Sequence, residues 1–104
     1  MIYYTQVIYI AEGKEDGLRN FEEQTMPILA RHQGQLLFLS KVDKNNQSNT
    51  SNAGMETPDE IHLLSFPERA NFLAYMDDPD RKAILPIKEQ SVERVLLFEG
   101  THIN

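Results

Sequence analysis

The chain has 104 residues, a net charge of −6, 40% hydrophobic and 25% charged residues, and no cysteine. The length suits one domain spanning 1–104, with one core burying roughly two-thirds of the unfolded surface. The acidic balance argues against nucleic acid and anionic membranes as partners. The missing thiols remove disulfides, thiolate zinc sites and a cysteine nucleophile, and fit a reducing compartment. The opening stretch MIYYTQVIYIAEGK has no Lys or Arg before Lys14 and carries Thr5 and Gln6, so it is a poor export signal and too short to span a bilayer. The expected location is the cytoplasm.

IYYTQVIYI (2–10) is rich in Tyr, Ile and Val and apolar at both odd and even positions, which predicts a strand covered on both sides. Residues 13–34 read as a helix: Leu18, Phe21, Thr25, Ile28, Leu29 and His32 recur at spacings of three and four. Pro27 predicts a kink near residues 23–27, and Gly34 a C-terminal stop. QLLFLSKV (35–42) is a second strand and EIHLLSF (60–66) a third. Between them, 43–59 is rich in Asn, Ser and Thr and predicts a long flexible hairpin loop, read either as plain disorder or as a lid. Two Asn-x-Ser patterns, beginning at Asn46 and Asn49, are read as chance matches.

PERANFLAYM (67–76) predicts a short helix with Pro67 in its first turn and Phe72, Leu73 and Met76 as its buried stripe. Residues 79–90 continue helically, with an end or kink at Pro86. VERVLLFEG (92–100) is the fourth strand.

The order β-α-β-β-α-β defines an α+β, ferredoxin-like arrangement. A four-stranded antiparallel sheet carries two main helices, the second one broken, on one face. Two helices cover one face only, yet residues 36–39 and 95–98 are apolar on both. The expectation is a homodimer in which a second copy packs on the open sheet face.

The run from Tyr4 through Glu12-Gly13-Lys14, the Pro-Ile-Leu at 27–29, Gly34, Pro58-Asp59-Glu60-Ile61-His62, Ser65-Phe66-Pro67 and Asp78-Pro79 resembles the dimeric α/β-barrel superfamily. More closely it is similar to a domain family of unknown function, related to antibiotic-biosynthesis-monooxygenase-like and EthD-like proteins. The resemblance covers nearly the whole chain outside the 43–59 loop. It implies a homodimer with a pocket between sheet and helices, and selects no reaction.

MDDPDRKAIL (76–85) holds three carboxylates. Asp78 before Pro79 reads as a helix N-cap, with Asp80 in the first turn. A calcium loop starting at Asp78 fails, because Lys82 and Ala83 stand where a ligand and the obligatory glycine belong. Asp77 is left over as a possible ligand contact. His62, midway along an apolar strand, is the candidate general base, the alternative being a core histidine bonded to its neighbours. Arg94 is the candidate clamp for a carboxylate or phenolate, or else a structural ion pair. Tyr4 and Gln6 are the other polar groups within apolar strands and are assigned to ligand binding. No metal site and no cofactor are expected. The phosphate loop and the serine-hydrolase elbow are absent from the sequence.

Two functions fit: a cofactor-free enzyme acting on a small aromatic or polyketide-like molecule, or a non-catalytic small-ligand-binding or stress-related homodimer.

Overall fold

The computed structural model of the chain describes residues 1–46 and 55–104. Its elements are β1 (Ile2–Ile10), α1 (Glu15–Arg31), β2 (Gln35–Lys41), β3 (Glu60–Phe66), α2 (Arg69–Asp77), α3 (Pro79–Ser91) and β4 (Val92–Gly100). The strands form one antiparallel sheet in the order β2-β3-β1-β4. This is the expected ferredoxin-like order, with α2 and α3 as the broken second helix. Among the described residues, no helix is long and apolar enough to cross a membrane.

Register decides which side chains share a face, because directly opposed residues in an antiparallel pair point the same way. Tyr4 opposes Leu64 and Glu99; Gln6 opposes His62 and Leu97; Ile8 opposes Glu60 and Val95. These rungs carry the helix side: Tyr4, Ile28, Leu29, Leu64, Phe66 and Tyr75 form the buried core, with Leu36, Phe72, Met76 and Ile84 packed against it. The intervening rungs face away from the helices. There Val7 opposes Ile61 and Leu96, and Thr5 opposes Leu63 and Phe98. Phe38 joins them through its pairing with Leu63, because a bulge at Leu37 shifts the parity of β2.

The sequence was misleading at several local points. α1 continues past Pro27 and α3 past Pro86, so Pro86 does not end its helix. In α1 the packing of Ile28 and Leu29 immediately after the proline outweighs the lost backbone bond. The left-handed residue that ends α1 is Gln33, at φ 62°, not Gly34. Gly34 N–H donates to the Leu29 carbonyl and Gln33 N–H to the Ala30 carbonyl, the two bonds of a Schellman motif. Gly34 is required for space instead: a Cβ there would come within 2.4 Å of Leu29 Cδ1 and 2.7 Å of Phe66 Cε1.

Pro67 precedes α2 rather than entering it. α2 starts at Arg69, after a bond from Glu68 N–H to Asn71 Oδ1. Tyr75 is its buried residue, Phe72 and Met76 are partly buried, and Leu73 is exposed.

Of the predicted 43–59 loop, residues 47–54 lie outside the described residues, and both Asn-x-Ser patterns run into them. Its flanks are anchored. Lys44 pairs with Asp59 at 2.7 Å, Val42 N–H donates to the Asp59 carbonyl, and the Tyr9 hydroxyl donates to the Glu56 carbonyl.

Candidate functional site

His62 faces the helices. It is 4% exposed, on the rung between Gln6 and Leu39. Alternation along β3 puts Glu60 on the same face, and the His62 Nε2 to Glu60 Oε1 distance is 2.7 Å. Arg19, from the first turns of α1, pairs with both Glu60 and Glu22. Burial alone would raise the Glu60 carboxyl; the hydrogen bonds from Arg19 and His62 and their charges outweigh it and hold the pKa below the usual carboxylate range. Burial lowers the His62 pKa and outweighs the raising influence of Glu60. At neutral pH, therefore, a neutral imidazole faces an ionised carboxylate. Such a carboxylate can only accept, so Nε2 carries the hydrogen. The lone pair is left on Nδ1, which has no hydrogen-bond partner among the described residues.

Two adjoining cavities lie between sheet and helices. One, about 50 Å³, is lined by His62, Gln6, Glu22, Thr25 and Met26 among others. The other, about 250 Å³, is walled by Tyr4, Phe66, Phe72, Tyr75, Met76, Val95 and Leu97. Gln6, Leu64, Tyr75, Arg81 and Lys88 line both. The larger one is a chamber with aromatic and aliphatic walls: Tyr4 stacks on Phe72 with centroids 3.8 Å apart, and Phe66 meets both edge-on. Tyr4 donates to Glu99 Oε1 at 2.7 Å; burial first, then that carboxylate, pushes its pKa up to about 12. A more open depression of about 510 Å³ is bounded by Lys41 to Asn45 and Asp59 at another part of the surface. Its Lys44 and Asp59 already neutralise one another.

The sequence-predicted site residues separate into two groups. His62, Gln6 and Tyr4 share the helix side of the sheet. Arg94 does not join them: it opposes Tyr9 on the other side, with its guanidinium 4.0 Å from the Tyr9 ring centroid and 2.9 Å from Glu56. Parity along β4 prevents Arg94 from reaching His62. Asp77 is exposed at the end of α2 and lies 3.7 Å from Lys82, away from the cavity. Asp78 caps α3 by accepting from Asp80 N–H at 2.9 Å. It also bonds His32 Nε2 at 2.7 Å and pairs with Arg31 at 3.0 Å, tying the end of α1 to the start of α3. His102 is exposed in the C-terminal tail.

Four residues absent from the sequence-based site line this region: Glu22, Glu60, Arg81 and Lys88. Glu60 was detectable as the partner two positions from His62 on a strand. Arg81, Ile84, Lys88 and Ser91 recur at three and four along α3 and form its inner stripe, but their charges read as solvent-facing. Oxygen and nitrogen atoms of Glu22, Glu60 and His62 lie within 4.8 Å of one another, close enough to share a metal ion. Arg19 already bridges the two carboxylates, so a cation there would have to displace a guanidinium.

No protein-family model and no curated protein sequence matches the chain. Solved structures do. A NIPSNAP domain protein from Burkholderia xenovorans superposes with a TM-score of 0.72 at 13% identity, covering 99% of this chain and 95% of that one. A DABB family protein with a ferredoxin-like fold from Mesorhizobium loti gives 0.63 at 16% identity, covering 99% and 97%. A dimeric protein of unknown function and ferredoxin-like fold from Bacteroides fragilis gives 0.67 at 11% identity, covering 97% and 95%. The fold is thus ferredoxin-like, shared with small proteins of unknown function; identities this low establish the fold alone.

Proposed function

We propose that the protein is a homodimer whose subunits each bind a small aromatic or polyketide-like molecule between sheet and helices. His62 removes a proton from that molecule. The carrying observation is the neutral His62, held by the ionised Glu60 at 2.7 Å and lining the small cavity that adjoins the larger chamber. The carboxylate fixes the tautomer and stabilises the imidazolium that forms, a division of labour known from other carboxylate–histidine pairs. In the step proposed, Nδ1 takes a proton from carbon next to a carbonyl. The electron pair moves to the carbonyl oxygen, giving an enolate, and return of the proton regenerates the ketone. The homodimer rests on the open sheet face, where Phe38, Leu96 and Phe98 are 48%, 38% and 58% exposed, and on the dimeric Bacteroides neighbour.

The second reading is a binding protein with no chemistry. The small volume beside His62, about 50 Å³, favours it, since little more than one substituent fits there. The two readings are separated with benzoylacetate, a small aromatic β-keto acid, in D₂O. Proton NMR follows loss of the signal between its two carbonyls. A base at His62 accelerates that exchange above the buffer rate, and His62→Asn removes the acceleration while benzoylacetate still binds. Binding without accelerated exchange in the wild type would establish the non-catalytic reading.

A further inference from the structure

Arg81 is an unusual residue to find in an inner helix stripe. It is 5% exposed, and its Nε is buried without a hydrogen-bond partner. Among the described residues it makes no ion pair; its guanidinium lies over the Tyr75 ring, 5.0 Å from the centroid. Lys88, seven positions on, lies two helical turns along the same face, about 10 Å at 1.5 Å per residue. Its ammonium lies 5.6 Å from the Phe21 centroid and likewise has no carboxylate within ion-pair distance among the described residues. Both line both cavities, as does Gln6, whose side-chain amide has no partner among the described residues. Three donor-bearing side chains therefore border one space without a hydrogen bond of their own among the described residues, and the unpaired Glu22 Oε2 lines only the smaller cavity.

The charge balance of the region points the same way. Arg19, Arg81 and Lys88 are positive, Glu22 and Glu60 negative, and His62 neutral, and Arg19 already engages both carboxylates. That leaves a positive surplus concentrated on Arg81 and Lys88. Burying like charges side by side is costly unless something compensates them. The Lys88 pKa registers the cost: burial first, then the Arg81 charge, bring it down to about 8, with Glu22 opposing. The aromatic rings beside Arg81 do not supply a negative charge. An anion entering the chamber would supply it, and the apolar walls would hold the rest of the molecule.

We infer that Arg81 and Lys88, together with Gln6, form an anion subsite, so that the ligand is a small aromatic carboxylate with its acid group toward α3. The inference rests on the proposal that the chamber binds a small aromatic molecule, and adds the charge and orientation of that molecule. Arg81 would engage the carboxylate with its planar donor fork and Lys88 as a point charge. Both are positioning residues for the ligand, distinct from the base at His62.

The test compares benzoylacetate with its neutral amide, benzoylacetamide, by titration calorimetry and by NMR. The wild-type dimer should bind the acid roughly tenfold or more tighter than the amide, the scale of a charge-assisted hydrogen bond. Arg81→Met and Lys88→Met should each remove that preference while leaving amide binding in place, and Arg81→Lys should restore part of it. Binding of the acid at pH 8 to 9 should also take up protons, seen as a dependence of the calorimetric heat on the ionisation enthalpy of the buffer, because the carboxylate stabilises the charged Lys88. Far-UV circular dichroism verifies that each variant is folded. If Arg81→Met does not fold, Lys88→Met and the proton uptake decide. Equal affinity for acid and amide overturns the anion subsite and leaves the chamber as a binding site. No binding of either compound overturns both. Retention of the acid preference in Lys88→Met, with no proton uptake, overturns the subsite alone.

Discussion

Replacing Leu96 by Asp should dissociate the proposed homodimer, whereas the same change at Leu97 should not. The two are neighbours on β4 but point to opposite sides, Leu96 opposing Val7 on the open face and Leu97 opposing Gln6 on the helix side. Leu96 is 38% exposed in the single chain. Full burial of such a side chain is worth about 1.5–3 kcal/mol, so covering the exposed part gives about 0.6–1.1 kcal/mol per subunit, or about 1–2 kcal/mol across a two-fold interface. An aspartate forfeits that gain and also places a charge from each subunit in the interface, at several kcal/mol per ion. A combined loss of about 5 kcal/mol weakens association by more than roughly a thousandfold. Sedimentation equilibrium at micromolar concentration should show the wild type as a dimer, Leu96→Asp as a monomer and Leu97→Asp as a dimer. A monomeric wild type, or a dimeric Leu96→Asp, would refute the assignment of the open face as the interface. Dissociation by both variants would refute the argument from strand parity.

Gly34→Ala should cost about 1–3 kcal/mol in urea unfolding, because the added methyl meets Leu29 and Phe66 inside a packed core. For Lys88 the folded pKa, about 8, lies below the ordinary 10.5. The unfolded chain then binds more protons between those values, so wild-type stability should rise as pH increases from 8 to 10.5, and the rise should be smaller in Lys88→Met. The Asp78 pKa is held at about 2, first by the His32 hydrogen bond, against an ordinary 3.8. Its stabilisation is complete above 3.8 and is lost as pH falls toward 2. Asp78→Asn should therefore flatten the acid-unfolding profile across that window, and an unchanged slope would show that the His32–Asp78 link does not contribute.

The order of elements was legible because the strand composition and the helix periodicity are strong in this chain. β1 is apolar at nearly every position, and the inner stripe of α1 recurs without a gap from Leu18 to Leu29. The Asp78-Pro79 start of α3 was legible too, since an N-cap is a local event. What could not be read locally was register. Alternation says that Glu60, His62, Leu64 and Phe66 share a face; only the packing of Leu64 and Phe66 with Ile28, Leu29 and Tyr75 shows that this is the face beneath the helices. The same parity separates Arg94 from His62, a conclusion that needs the pairing across β1 as well as the sequence of β4. Gln33 was missed because glycine is the usual left-handed residue, and here the glycine beside it answers a steric demand from Phe66. Arg81 and Lys88 were missed for a more general reason: charge at helical spacing is ordinarily a solvated face.

That last exception bears on function. A helix packed on a sheet gains stability by presenting apolar side chains, and apolar replacement of buried charged groups is often neutral or stabilising. α3 instead turns Arg81 inward and borders the chamber with Lys88, without a carboxylate within ion-pair distance of either among the described residues. On the opposite side of the sheet Arg94 is matched by Glu56 and the Tyr9 ring. The asymmetry distinguishes the two faces. The open one is a largely apolar surface whose one strand cation is already matched, which suits an interface between copies. The covered one keeps its unmatched donors around a chamber with aromatic and aliphatic walls, with a neutral histidine lining the adjoining cavity. Folding alone accounts for the first arrangement, given a second copy. It gives no reason for the second, and a negatively charged aromatic ligand does.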